Sequence, residues 1–186
     1  MNAVYFATSE PPSASRPEPI ATPTAVTRLV LEVLPPQVVM QEVPGEIALT
    51  FTVLGCPHRC RGCHSADTWK TGHGEPLTQE RLACLLRQYQ GLITCLCLMG
   101  GDWLADATLS VLQQARAGGL RTCLYAGSEA IDPRLLAHLD YLKLGPYRPA
   151  LGGLASPTTN QRFYRLADGQ LLNDHFLRNE TPPTRK

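Results

Sequence analysis

"EIALTFTVLGCPHRCRGCHSADTW", residues 46–69, joins a strand directly to a cluster of thiols. In its first half Ile47, Leu49, Phe51 and Val53 alternate with smaller or polar residues, the period of a β-strand. Its second half places Cys56, Cys60 and Cys63 in a C-x3-C-x2-C pattern, with no fourth cysteine nearby. A closed structural zinc site needs four protein ligands. His58 or His64 is available as the fourth, but His64 adjoins Cys63, and the second C-x2-C pair of a zinc knuckle is missing. A [4Fe–4S] cube takes cysteine thiolates and has four irons, so three cysteines leave one iron open to another ligand.

Outward from this junction the chain alternates. Upstream, 28–43 is β-rich and broken by Pro35-Pro36, and Pro44-Gly45 makes a turn. Downstream, 77–91 reads as a helix: Leu82, Leu85, Leu86 and Tyr89 recur at helical spacing, Thr78 caps the start and Gly91 ends it. Residues 92–99 form a buried strand ending at Gly100-Gly101-Asp102. A helix over 107–119 closes on two glycines, and a strand follows over 120–127. Asp132 and Pro133 start a short helix over 132–139, and 140–145 is another strand. Residues 162–173 form a hairpin about Asp168-Gly169. Strands alternating with helices imply an α/β fold with a parallel sheet, whose ligands sit at the strand ends.

Bulk properties exclude several classes. Seventeen Lys and Arg against sixteen Asp and Glu give a net charge of +1 over 186 residues, which argues against a nucleic-acid or anionic-membrane binder. No apolar run approaches the ~20 residues of a membrane span, and no secretory signal is visible, so a cytoplasmic protein is expected. Seven cysteines in a reducing compartment favour metal over disulfides. Cys84, Cys95, Cys97 and Cys123 are expected to pack in the core. Residues 1–27 carry five prolines among small polar residues and read as a disordered leader; 28–175 is the folded domain and 176–186 a polar tail.

The C-x3-C-x2-C loop after the first core strand of a βα-alternating domain resembles the radical S-adenosylmethionine superfamily. The resemblance implies a partial (β/α) barrel, here a minimal short core. It also implies a [4Fe–4S] cluster on Cys56, Cys60 and Cys63, with S-adenosylmethionine on the open iron. Met99-Gly100-Gly101-Asp102 stands where that superfamily carries a "GGE"-like segment, with aspartate in place of glutamate.

Gly62 before the third cysteine, together with "LMGGD" (98–102), "YLKLGPY" (141–147) and "GGLASPTTNQRFYRL" (152–166), is similar to the activating proteins of the anaerobic ribonucleoside-triphosphate reductase. That likeness spans about residues 28–175. It implies an enzyme that makes a glycyl radical on the reductase, with an electron donor such as flavodoxin. The cofactor-binding residues it implies are Gly62, Cys63, His64, Gly100, Gly101, Asp102, Tyr125 and Ser128, with Gly127 beside them. Asn160, Gln161 and Arg162 form a polar cluster; Arg162 either pairs with a carboxylate of the cofactor or partner or is a solvated loop arginine. Trp69 and Trp103 either shield the site from water or pack in the core. The alternatives are a radical enzyme acting on a small molecule, as 7-carboxy-7-deazaguanine synthase does, or a zinc or iron–sulfur interaction module.

Overall fold

The computed structural model describes residues 30–177. The leader expected over 1–27 lies outside the described residues, as does the tail beyond Leu177. The chain is mixed α/β. Its main sheet has seven strands: β2 (Gln37–Val39), β3 (Ala48–Thr52), β5 (Cys95–Met99), β6 (Arg121–Tyr125), β7 (Tyr141–Leu144), β8 (Arg162–Arg165) and β9 (Gln170–Leu171), side by side in that order. β3, β5, β6 and β7 run parallel, while β2, β8 and β9 join antiparallel at the two sides. A separate antiparallel ribbon pairs β1 (Leu31–Val33) with β4 (Glu75–Leu77).

The crossovers between parallel strands are helices, as the periodicity predicts. In α1 (Gln79–Gln88) the Thr78 hydroxyl accepts the Arg81 N–H at 3.1 Å, and Gly91 ends the following turn at φ +76°. α2 (Ala105–Ala117) buries Ala107, Val111, Leu112 and Ala115 on one stripe. α3 (Pro133–Leu136) is capped by Asp132, which accepts the Arg134 N–H at 2.9 Å.

The helices cover one face of the sheet. There Leu49, Phe51, Leu96, Leu98, Leu124 and Leu142 pack against Leu82, Val111, Leu112 and Leu135. The other face carries Ala48, Cys95, Cys97, Cys123, Tyr141 and Phe163, covered by Val43 and Leu172. Cys95, Cys97 and Cys123 are therefore in the core, but Cys84 is exposed, which corrects the expectation for that residue. α1 has a single buried stripe, and two residues from Leu82 the helix has turned about 200° away from it. Among the described residues no helix is long and apolar enough to cross a membrane.

Candidate metal centre

β3 delivers the chain to the cysteine loop, and Gly55, at φ +81°, turns it off the sheet. The loop is closed at its base: the Gly55 and Cys56 N–H groups both donate to the Thr68 carbonyl, at 2.8 and 3.1 Å. Thr68 is buried, and its own N–H and hydroxyl both bond the Ser65 carbonyl, at 3.0 and 2.7 Å. Within the loop Arg59 adopts φ +45°, uncommon for a residue with a Cβ, and Gly62 adopts φ +72°. The Cys63 N–H bonds the Cys60 carbonyl at 3.0 Å, so these two cysteines flank a tight turn. Burial pushes the Cys56 thiol up, against the backbone N–H groups of His58 and Arg59 that bond its sulfur.

All three thiols are half-buried and line one cavity of about 250 Å3. Its floor is Thr52, Met99, Tyr125 and Lys143, which are strand-end residues of the four parallel strands. Parallel α/β sheets place ligands beyond these carboxyl ends. Trp103, Tyr147 and Gln161 also line it. Among the described residues no three His, Cys, Asp or Glu side chains are gathered to hold a single metal ion. A cubane makes no such demand, because each thiolate ligates its own iron.

The residues implied by the resemblance fall into three groups. Gly100, Tyr125 and Gly127 lie on the cavity wall with the three cysteines. Gly62 and His64 instead meet the loop after β7: a Cβ on Gly62 would lie 3.2 Å from Pro149 Cγ, and the His64 ring is 5.3 Å from that of Tyr147. Gly101, Asp102 and Ser128 stand off the wall. A Cβ at Gly101 would meet Thr108 Oγ1 at 2.9 Å and Val53 Cγ2 at 3.3 Å, so packing and a φ of +97° explain that glycine. Asp102 accepts from Ser128 Oγ at 2.6 Å and from His58 Nε2 at 3.2 Å. Of the polar cluster, Gln161 reaches the cavity. Asn160 donates to the Pro146 carbonyl, and Arg162 donates to the Thr159 and Gln161 carbonyls beside a different hollow. Trp103 lines the cavity, whereas Trp69 does not.

Among the wall residues outside the set read from sequence are His58 and Lys143. His58 appeared there only as a candidate zinc ligand. Lys143, within "YLKLGPY", carried no assigned role. It is 8% exposed; its Nζ donates to the Gly145 carbonyl at 2.6 Å and the Ala126 carbonyl at 3.4 Å. Among the described residues no carboxylate pairs with it, and burial brings its pKa down to about 8. The signal was its place in a strand otherwise made of Tyr141, Leu142 and Leu144, where a lysine is out of character.

The family profile of a 4Fe-4S single cluster domain matches residues 43–143, more than half of the chain. No curated protein and no solved structure matches it. The matched segment runs from the turn before β3 to Lys143 and contains the closed loop with its three thiols facing one cavity, a donor set suited to an iron–sulfur cube. The chain belongs to the family of 4Fe-4S single cluster domains.

Proposed function

We propose that this iron–sulfur protein is a radical S-adenosylmethionine activase built on a partial (β/α) barrel, and that it forms a glycyl radical on an anaerobic ribonucleoside-triphosphate reductase. The observation that carries the reading is the meeting of the three-cysteine loop with the carboxyl ends of four parallel strands around one cavity. Three cysteines would hold three irons and leave the fourth for the cofactor's amino and carboxylate groups. Cluster and cofactor together supply one-electron cleavage of a carbon–sulfur bond, and with it an abstractor of hydrogen atoms.

The chain's own residues bind, orient and exclude water. Lys143 offers a buried ammonium beside Cys60 and Cys63, suited to the carboxylate of an amino-acid moiety. At Gly100 a Cβ would lie 2.8 Å from the Trp103 ring, so glycine lets the strand end and the ring close up over the cavity. Trp103 and Tyr147 keep solvent from the reacting atoms. Tyr125 lines this cavity and also an outer hollow of about 590 Å3 bounded by Met40, Glu42, Leu154 and Phe176. That outer space supports a substrate presented as a loop of a larger protein.

The test mixes anaerobically reconstituted, reduced protein with S-adenosylmethionine and the reductase. A doublet glycyl-radical resonance is expected, and it should vanish when the reductase glycine is changed to alanine. Turnover of a small purine with no doublet would replace the activase reading by the small-molecule one.

A further inference from the structure

The side chain of Asp102 is 1% exposed, and its Oδ1 has no hydrogen-bond partner among the described residues. Among the described residues its hydrogen bonds gather on Oδ2: the Ser128 hydroxyl at 2.6 Å, the His58 ring N–H at 3.2 Å and the Ser128 N–H at 3.4 Å. Since its partner is a carboxylate, His58 Nε2 is the donor. A buried charge held so unevenly is costly, and it needs a reason beyond filling space.

Three separate loops meet at this one oxygen. His58 comes from the cysteine loop, Asp102 from the turn after β5 and Ser128 from the turn after β6. The imidazole is also seated by packing. It stands edge-on to Trp103, with ring centroids 6.1 Å apart. It presses on Gly127 so closely that a Cβ there would lie 2.3 Å from His58 Cδ2. Gly127 has no positive φ to account for its glycine; the ring does.

We propose that Asp102 and Ser128 form a clasp that holds His58 and so positions the thiols of Cys56 and Cys60, which lie two residues to either side. Asp102 does not line the cavity. It is a positioning residue that acts through His58 and ties the metal loop to two strand ends of the sheet. This inference rests on the iron–sulfur assignment and is independent of the cofactor and the partner proposed above.

The test uses the full chain with His58→Leu, which keeps bulk without a donor, and His58→Gln, which keeps an N–H for Asp102. Gly127→Ala crowds the ring, and Ser128→Ala removes one bond of the clasp. Amide hydrogen exchange of residues 55–64 is measured without iron. Iron loss to a chelator and the paramagnetic spectrum of the reduced cluster are measured after reconstitution. His58→Leu and Gly127→Ala should each speed loop exchange and iron loss by about tenfold and alter the spectrum, in keeping with loss of a charge-assisted bond. His58→Gln should restore most of all three. Native behaviour in His58→Leu, or equal defects in the Leu and Gln variants, overturns the proposal. If His58→Leu loosens α1 and α2 as well, Ser128→Ala decides: faster exchange confined to 55–64 supports the clasp, and unchanged exchange overturns it.

Discussion

Glu46, just before β3, accepts the Tyr141 hydroxyl at 2.7 Å, and through that bond the first and last parallel strands are tied at their amino ends. The same carboxylate takes the Thr94 hydroxyl at 2.6 Å and the Arg121 guanidinium, from the starts of β5 and β6. The cavity lies at the opposite ends of these strands. Glu46→Gln should therefore lower stability by about 1–3 kcal/mol, the worth of a charge-assisted bond. Iron content per folded chain should not change. Thermal melts paired with iron analysis check this, and loss of iron at intact fold would contradict it.

Alanine at Cys56, Cys60 or Cys63 should each abolish the bound cluster, because three thiols are all that the loop offers. Cys84→Ser should change neither cluster nor stability, since that thiol is exposed. Cys123→Ser should keep the cluster while losing stability by about 1–3 kcal/mol, the cost of burying a poorly partnered hydroxyl. Iron and sulfide analysis beside urea unfolding separates the two kinds of cysteine.

Lys143 gives the stability of the cluster-free chain a characteristic pH dependence. Its folded pKa of about 8 lies below the ordinary lysine value of 10.5. Between those values the unfolded chain binds the additional proton, so raising the pH favours the folded state. The penalty of burying the ammonium is fully present below pH 8 and is relieved as pH approaches 10.5. The shift corresponds to about 3 kcal/mol. Lys143→Met lacks this term, so its stability relative to the native chain should fall by about that amount over the window. Urea unfolding at a series of pH values measures the difference; a constant gap would mean that Lys143 is not buried as a charge.

Gly101→Ala should act on the fold. The new methyl would crowd Thr108 Oγ1, which donates to the Gly101 carbonyl at 2.7 Å, and would hold a side chain at φ +97°. A loss of about 1–3 kcal/mol is expected for such backbone strain. Affinity for the proposed S-adenosylmethionine cofactor, per folded chain, should be nearly native, because Gly101 does not line the cavity. Calorimetry under anaerobic conditions checks it; a large loss of affinity in a fully folded variant would put Gly101 back on the cavity wall.

Much of the local structure was legible because capping and periodicity agreed. Thr78 and Asp132 mark helix starts by side-chain chemistry alone, and the Asp168-Gly169 pair marks the hairpin turn. β4 was not legible: three residues, one of them Pro76, carry no period and pair only with the equally short β1. The three cysteines that share the cavity could be read as one group because their spacing is local. The placement of Lys143 depends on strand register, which sets Tyr125 beside Lys143 on the cavity side. The clasp joins residues 44 and 70 positions from His58, beyond the reach of any local pattern.

The double hydrogen bond onto the Thr68 carbonyl bears on how iron enters and leaves. Closing a loop of this length has an entropic cost, and in small zinc domains metal binding meets it, so those domains unfold when stripped. Here the stem is shut by backbone bonds and a buried threonine, with the sheet beneath it assembled from its own core. Bound metal should therefore add to the stability of the fold without being required for it. A chelator should empty the site without melting the sheet, and the emptied chain remains a receptacle that a donor of iron and sulfide can refill.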